Sequence, residues 1–545
     1  MQKPFATTLD PGSSLTNHTG SWRTEGPVFV NRLPPCNNAC AAGENIQAWL
    51  YHAEAGDYRR AWETLTIDNP MPAIMGRICY HPCESSCNRG QLDVAVNIHA
   101  VERFLGDEAI RQGWAFEAPT ADGKHVLIVG SGPSGLSAAY HLRRLGHRVT
   151  ICEAQPAPGG MMRYAIPKYR LPRNILDAEI ARILAMGVTI RLNTRIEDPV
   201  AEMEQGGYDA VYLAVGAQIA QRAYIPAGDA KRILDALSLL HSMEGAEQGG
   251  KAPPSLGRRV LVYGGGNTAL DAARTVKRLG ANEAIVVYRR TRERMPAHDS
   301  EVREAEEEGI QFRWLSTIRK EEGTTFTVEK MKLDEKGFPQ PTGELETIDA
   351  DALVLALGQN VDPDFLQHVE GLRIENGTAM VDARMMTGVP GVFAGGDMVP
   401  SERSATASIG HGKKAARNID AWLRGTVYGP AEKHPLASFD RLNTWYYSDA
   451  PKLVQPLLDE ARRRSTFDEV AGGLDQDSAL FEARRCLSCG NCFECNNCYG
   501  MCPDNAVIKL GAGERFRFNY EYCKGCGLCA AECPCGAIEM VLEQA

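Results

Sequence analysis

The sequence predicts a multidomain α/β chain: a helical unit first, two Rossmann-like nucleotide-binding units in the middle, and a small α+β unit last. Three observations predict it. Strand–glycine turn–helix–strand phrases begin at 125 and again at 259, a four-cysteine phrase is written twice after 490, and 545 residues suffice for about three to five domains. Hydrophobic residues make up 44% and charged residues 23%, which excludes wholesale disorder. The net charge of −10 argues against nucleic acid as a partner, because duplex binding needs a basic surface. No stretch reaches the roughly 18 apolar residues of a membrane span. The N-terminal MQKPFATTLDPGSS lacks the basic patch and apolar core of an export signal, so a cytoplasmic location is expected.

The 17 cysteines are clustered: five between 36 and 87, Cys152 alone, and eleven between 486 and 535. In a large chain without an export signal this is metal-ligand usage rather than a disulfide framework. In the first unit, residues 1–119, PPCNNAC sets Cys36 and Cys40 one helical turn apart, and CYHPCESSC repeats the interval through Cys79, Cys83 and Cys87. Between them IQAWLYHAEAGDYRRAWETL reads as two amphipathic helices.

The second unit opens with HVLIVGSGPSGLSAAYHLRRLGHRVTICE at 125–153. Gly130, Gly132 and Gly135, with Ser134 in the same turn, let backbone approach a pyrophosphate at a helix N-terminus, and the second strand ends at Glu153, an acceptor for a ribose. At 259–296 Gly264 and Gly266 open a similar phrase, followed by Asn267 and Thr268, with Ala269 in place of the third glycine. Its second strand ends in Arg289 and Arg290 rather than an acid. Guanidinium groups there suit the 2′-phosphate of NADP(H); as a solvated loop run they would leave NAD(H) equally suited. GVFAGGD (391–397) ends a strand at Asp397 ahead of a helix starting near Thr406, and DAVYLAVG (209–216) and DALVLALG (351–358) mark crossings between units. Two nucleotide folds and a terminal GGD strand describe a disulfide-reductase-like flavoprotein. FAD would then occupy 120–225 with 349–430, Glu153 holding its adenosine ribose and Asp397 its ribityl chain, and NAD(P)H would occupy 226–348. Residues 431–480 form a connector without recognisable chemistry, whose WYYS could dock on the flavoprotein or on a partner.

The last unit, 481–545, contains Cys492, Cys495, Cys498 and Cys502, then Cys523, Cys526, Cys529 and Cys533, each run ending in Cys-Pro. Zinc ribbons use separated pairs instead. This is the bacterial-type two-[4Fe–4S] ferredoxin pattern, in which the fourth cysteine of each run ligates the other cluster. Cys492, Cys495 and Cys498 therefore pair with Cys533, and Cys523, Cys526 and Cys529 with Cys502.

GGMMRYAIPKYRLP (159–172), which includes Gly160, the YRRTRERMP phrase and the N-terminal cysteine pattern resemble the glutamate synthase small (β) subunit family over roughly 35–425. Corresponding domains of dihydropyrimidine dehydrogenase and of NADPH:ferredoxin electron-bifurcating reductases are similar. The resemblance implies that Arg170 approaches the flavin and that the helix N-terminus near Thr406 faces its pyrimidine end. It also implies an N-terminal [4Fe–4S] cluster on Cys40, Cys79, Cys83 and Glu102, the last of which is otherwise an ordinary solvated helix residue. A second such cluster would use Cys36 and Cys87 with a C-x2-C pair upstream, where this chain has no cysteine. EARRCLSC (482–489) resembles the phrase that carries the missing pair, so Cys486 and Cys489 would complete that cluster, from the same chain or from a neighbouring one. The alternative leaves these four as free thiols. Cys152 and Cys535 remain unassigned.

The C-terminal wording resembles the δ subunit of 2-oxoacid:ferredoxin oxidoreductases. The function implied is an NAD(P)H-dependent FAD/iron–sulfur oxidoreductase subunit exchanging electrons with partner subunits or a ferredoxin, of the 2-oxoacid or benzoyl-CoA reductase type. A glutamate synthase small subunit and a non-catalytic iron–sulfur adaptor are the alternatives. No acid–base side chain is required, so the cofactor-binding residues are the functional ones.

Overall fold

The computed structural model describes residues 18–220, 233–247, 254–367 and 369–543. The expected boundary between 225 and 226 lies outside them. Apolar runs such as HVLIV and AVYL, buried along nearly their whole length, require cover on both faces and so become inner strands of parallel sheets. The first sheet runs Val392–Ala394, Ala210–Leu213, His125–Val129, Arg148–Cys152, Thr189–Arg191, all parallel. Its central strand sets Val126 between Val149 and Ala210. Helix Pro133–Arg144 packs on one face, against the long helix Ala405–Leu423.

The second sheet is also parallel, in the order Gln311–Arg313, Glu283–Val287, Arg259–Tyr263, Ala352–Leu355, Ile233–Asp235. Ala352–Leu355 thus belongs to this sheet, whereas the motif pattern returns the chain to the flavin unit from 349. An all-apolar strand fits the middle of either sheet equally well, and only its neighbours decide. The return follows immediately, as Gln359–Asn360 pairs antiparallel with Ile219–Ala220 to form the ribbon joining the two lobes. A three-stranded antiparallel sheet, Ser316–Glu322, Thr325–Leu333 and Pro339–Asp349, buries Phe326 and Val328 against Leu261 and Leu353 of the second sheet.

The helices Ile46–Glu54, Tyr58–Thr66 and Ile98–Arg111 form the N-terminal unit around Trp49, Leu50, Leu65 and Leu105, and Pro72–Ile78 packs on Ile98–Arg111 while its Ile74, Met75 and Ile78 join the core of the first sheet. Helix Gln476–Arg484 joins this core from the other end of the sequence through Ala479 and Ala483. The opposite exchange also occurs: Glu25–Phe29 pairs antiparallel with Ile538–Leu542, so the earliest described strand belongs to the last unit. No described helix is long and apolar enough to cross a membrane.

Candidate functional site

Two crevices open at the C-terminal ends of the two parallel sheets, where helix N-termini meet glycine turns. In the first, of about 390 Å³, Gly130 has φ +104°, and a side chain there would collide with the Ala214 carbonyl at 2.5 Å. Gly132 is the N-cap of Pro133–Arg144 with no side chain capping the helix, and nothing lies within 4 Å of where its Cβ would be. Unpaired helix N–H groups before an open cradle fit a pyrophosphate. Gly135 tucks under the Gly130 carbonyl, while Ser134, Gly160 and Asp397 line the crevice. Glu153 is buried, its carboxylate accepting the Ser131 N–H at 2.9 Å and the Gln155 N–H at 2.9 Å, and it borders the adjoining cavity as well. Burial raises the Asp397 carboxyl above its ordinary value, against the pull of Arg403 and a hydrogen bond from Ser408.

The second crevice repeats the design around Gly264 (φ +154°), whose Cβ would meet the Ala356 carbonyl at 2.1 Å. Gly266 caps Asn267–Arg278 and also faces open space. Arg289 and Arg290 both line it, but unequally: Arg289 is exposed, whereas Arg290 is half-buried with its Nε unpartnered. Thr268 lines both crevices, so they meet there, and Asn267 beside it lines the first alone. A donor left unpaired beside a glycine cradle fits a phosphate-bearing dinucleotide.

Arg170 lies in the first crevice, held across the lobes by Asp271 at 2.9 Å and Glu301 at 2.6 Å. Thr406 faces away from that crevice. Its hydroxyl points to Met75 Sδ (3.7 Å) and Cys79, and its helix contributes Ser404, Ala405 and Ser408 to the lining instead. Sequence reasoning missed Ile78 and Tyr80, which flank Cys79 and both line the crevice. Burial pushes the Tyr80 phenol up to about 12, and its ring stacks on His298 at 3.7 Å. Adjacency to a cysteine was the only signal available.

Cys40, Cys79 and Cys83 gather around Glu102, and all three thiols are raised by burial first, with the Glu102 charge adding to it. Cys79 reaches about 12. Glu102 is itself buried and raised well above the carboxylate range by burial and by Glu44, with the Asn69 amide donating at 2.8 Å. It is therefore not a solvated helix residue. Three thiols and a carboxylate buried together fit a cationic iron centre. The four side chains do not share one helix: Cys79 ends Pro72–Ile78, and His81, at φ 55°, breaks the chain before Pro82–Ser85 carries Cys83.

Cys36 and Cys87 meet Cys486 and Cys489 within one chain. Burial raises Cys36 most, and Cys486, Cys87 and Cys489 each raise it further. Arg485 anchors the turn, donating to the carbonyls of Val94 (2.5 Å) and Ala95 (3.2 Å) and to Glu482 (2.9 Å). In the last unit the two cysteine runs come together: Cys498 feels Cys492, Cys495 and Cys533 and then Cys529, while Cys529 feels Cys523, Cys502 and Cys526, and both are pushed up to about 12, chiefly by burial. Cys533 is drawn down to about 6 by its hydrogen bond with Cys535. Cys152 is buried in its strand, away from the other cysteines. WYYS docks on the ferredoxin unit: the amide of neighbouring Asn443 donates to the Ala531 carbonyl at 2.8 Å, and Tyr447 OH reaches the Leu487 carbonyl at 3.1 Å.

Residues 124–412 match the family described as pyridine nucleotide-disulphide oxidoreductase. Residues 31–114 match dihydropyrimidine dehydrogenase domain II, 4Fe-4S cluster, and 516–539 match the 4Fe-4S binding domain. The chain is 36% identical over 504 residues to the NADP(+)-dependent formate dehydrogenase subunit beta of Moorella thermoacetica, covering 84% of this chain and 70% of that one. It is 31% identical over 516 residues to the NADPH-Fe(3+) oxidoreductase subunit beta of Geobacter sulfurreducens (85% and 76%). It is 31% identical over 421 residues to the glutamate synthase (NADPH) small chain of Escherichia coli (72% and 89%). The resemblance read from the motifs is borne out.

Proposed function

We propose that the chain, which belongs to the pyridine nucleotide-disulphide oxidoreductase family and is an oxidoreductase with flavin and [4Fe–4S] groups, passes electrons between NADPH and a companion subunit. When bound, flavin exchanges a hydride with nicotinamide and single electrons with iron–sulfur clusters. The chain's own residues bind and orient. The Gly132 and Gly266 helix ends hold pyrophosphates, Glu153 and Asp397 fix the flavin dinucleotide, and Arg290 selects the 2′-phosphate. Ile78 and Tyr80 wall the crevice on either side of Cys79 in the chain, and this observation carries the reading: the flavin-type crevice is walled by the two residues next to the first of four groups of cysteines. Cys40, Cys79, Cys83 and Glu102 form that group. Cys36, Cys87, Cys486 and Cys489 form the second, and the two crossed ferredoxin sets lead outward.

The companion gives or takes low-potential electrons. The δ-like segment favours 2-oxoacid or benzoyl-CoA chemistry, and the formate dehydrogenase relative adds formate. A glutamate synthase small subunit would not need the two ferredoxin sets. The test is NADPH addition to the anaerobic full chain. Flavin and cluster absorbance should bleach together and viologen be reduced; flavin that bleaches while the clusters stay oxidised overturns the reading. Isolation of the native complex then identifies the companion.

A further inference from the structure

The ferredoxin unit writes one phrase twice, and the copies differ at a buried position beside the fourth cysteine. Both fourth cysteines accept a backbone N–H from four residues onward: Ala506 to Cys502 Sγ at 3.2 Å, and Ala537 to Cys533 Sγ at 3.3 Å. Two residues beyond, the first copy has Asp504 and the second has Cys535. Cys535 is 2% exposed, and its Sγ lies 3.7 Å from Cys533 Sγ. Asp504 has a carboxylate 3.5 Å from Lys524 Nζ, which brings charge and no proton to give.

We propose that Cys535 donates its S–H to the ligating sulfur of Cys533 and so makes the two ferredoxin clusters unequal, the one closed by Cys533 being the easier to reduce. This rests on the assignment of the eight cysteines to two clusters. A sulfur bonded to iron carries no proton, so the proton between these two sulfurs belongs to Cys535. A donor aimed at a ligating sulfur withdraws charge from it and favours the more negative, reduced state, raising the potential. One electron enters or leaves, and the Cys535 proton stays in place. The position also has a direction. The Cys535 carbonyl accepts the Gly490 N–H at 2.6 Å, one residue after Cys489, so the higher-potential cluster faces the N-terminal cysteines. It is the entry to the ferredoxin unit, and the cluster closed by Cys502 is the far one.

The test is a redox titration of the anaerobic full chain followed by electron paramagnetic resonance. Cys535→Ala should lower one cluster by about tenfold in its one-electron equilibrium, about 59 mV, and leave the others unmoved. Cys535→Ser keeps a donor and should stay near wild type, while Asp504→Cys should raise the other ferredoxin cluster. Iron content separates the proposal from its premise. Full iron with no shift in Cys535→Ala overturns the proposal alone, whereas a wild-type chain lacking iron for these clusters overturns both. Full iron in Cys533→Ala overturns it as well, since Cys535 would then be a ligand.

Discussion

Arg290 and Arg289 adjoin in sequence, yet the structure gives them different surroundings. Arg290 is half-buried in the second crevice with its Nε unpartnered, so a 2′-phosphate would meet a donor that has already lost its water. A hydrogen bond to a charged group contributes about 1.5–3 kcal/mol. At about 1.4 kcal/mol per tenfold, Arg290→Ala should raise KM for NADPH by about 10- to 100-fold. KM for NADH should stay unchanged, because NADH has no phosphate at that place. Arg289 is exposed, and an exposed pair contributes about 0.2–1 kcal/mol, so Arg289→Ala should cost at most about fivefold and less at high salt. The assay is anaerobic viologen reduction with each nucleotide at low and high ionic strength. Equal losses with NADPH and NADH would show that Arg290 supports the lobe and reads no phosphate. No loss with either would place the 2′-phosphate elsewhere.

Cys486→Ser with Cys489→Ser should remove about four irons per chain and leave the ferredoxin resonances intact, as measured by iron analysis and electron paramagnetic resonance. Glu469→Ala should lower stability by about 1.5 kcal/mol, the low end for a hydrogen bond to a charged group because Glu469 is half-buried and Asp107 still serves Arg77 and Arg103; chemical denaturation of the cluster-loaded chain reads it. Glu179, fully buried, is pushed up to about 7 by burial, against the pull of Arg182. Its folded pKa exceeds the ordinary 4.5, so the unfolded chain loses this proton first. Stability from this group is complete below about pH 4.5 and falls as pH rises through about 7, by about 3 kcal/mol in all. Glu179→Gln should flatten that decline in melts between pH 5 and 8.

What could be read from the sequence was local. The glycine turns were legible because strand, turn, helix and acid all fall within thirty residues, and the ferredoxin crossing because three cysteines in a short loop leave their cubane one ligand short. Long-range partners were not legible. Nothing near Arg170 announces Asp271 or Glu301, both more than a hundred residues on, and Glu25–Phe29 gives no sign that it completes a sheet with Ile538–Leu542. Thr406 was placed at a helix start correctly, but which way a residue on the first turn faces depends on what packs against it. Here the neighbour is Cys79, on another unit.

The connector was the least informative stretch of the sequence, and in space it explains why the units keep their positions. Leu33 exchanges hydrogen bonds with Pro435 and Ala437, and Asn88 donates to the Ala437 carbonyl at 2.9 Å. Further on, Lys452 Nζ reaches Glu84 at 2.6 Å, and Arg463 reaches Glu307 at 3.0 Å on the second nucleotide lobe. The Arg278 guanidinium returns to the Thr466 carbonyl at 3.0 Å, and the Val470 N–H to the Tyr169 carbonyl at 2.9 Å. One segment therefore ties the N-terminal helices, the ferredoxin unit and the second lobe, and it grips the residue next to Arg170. To swing that lobe, the chain would have to break the Arg170 pairs with Asp271 and Glu301 and release the strap as well. Buried charges left unpaired make each step costly. A fold that holds its crevices and cysteine groups at fixed separations suits successive single-electron steps, which need preorganised neighbours more than they need a moving lobe.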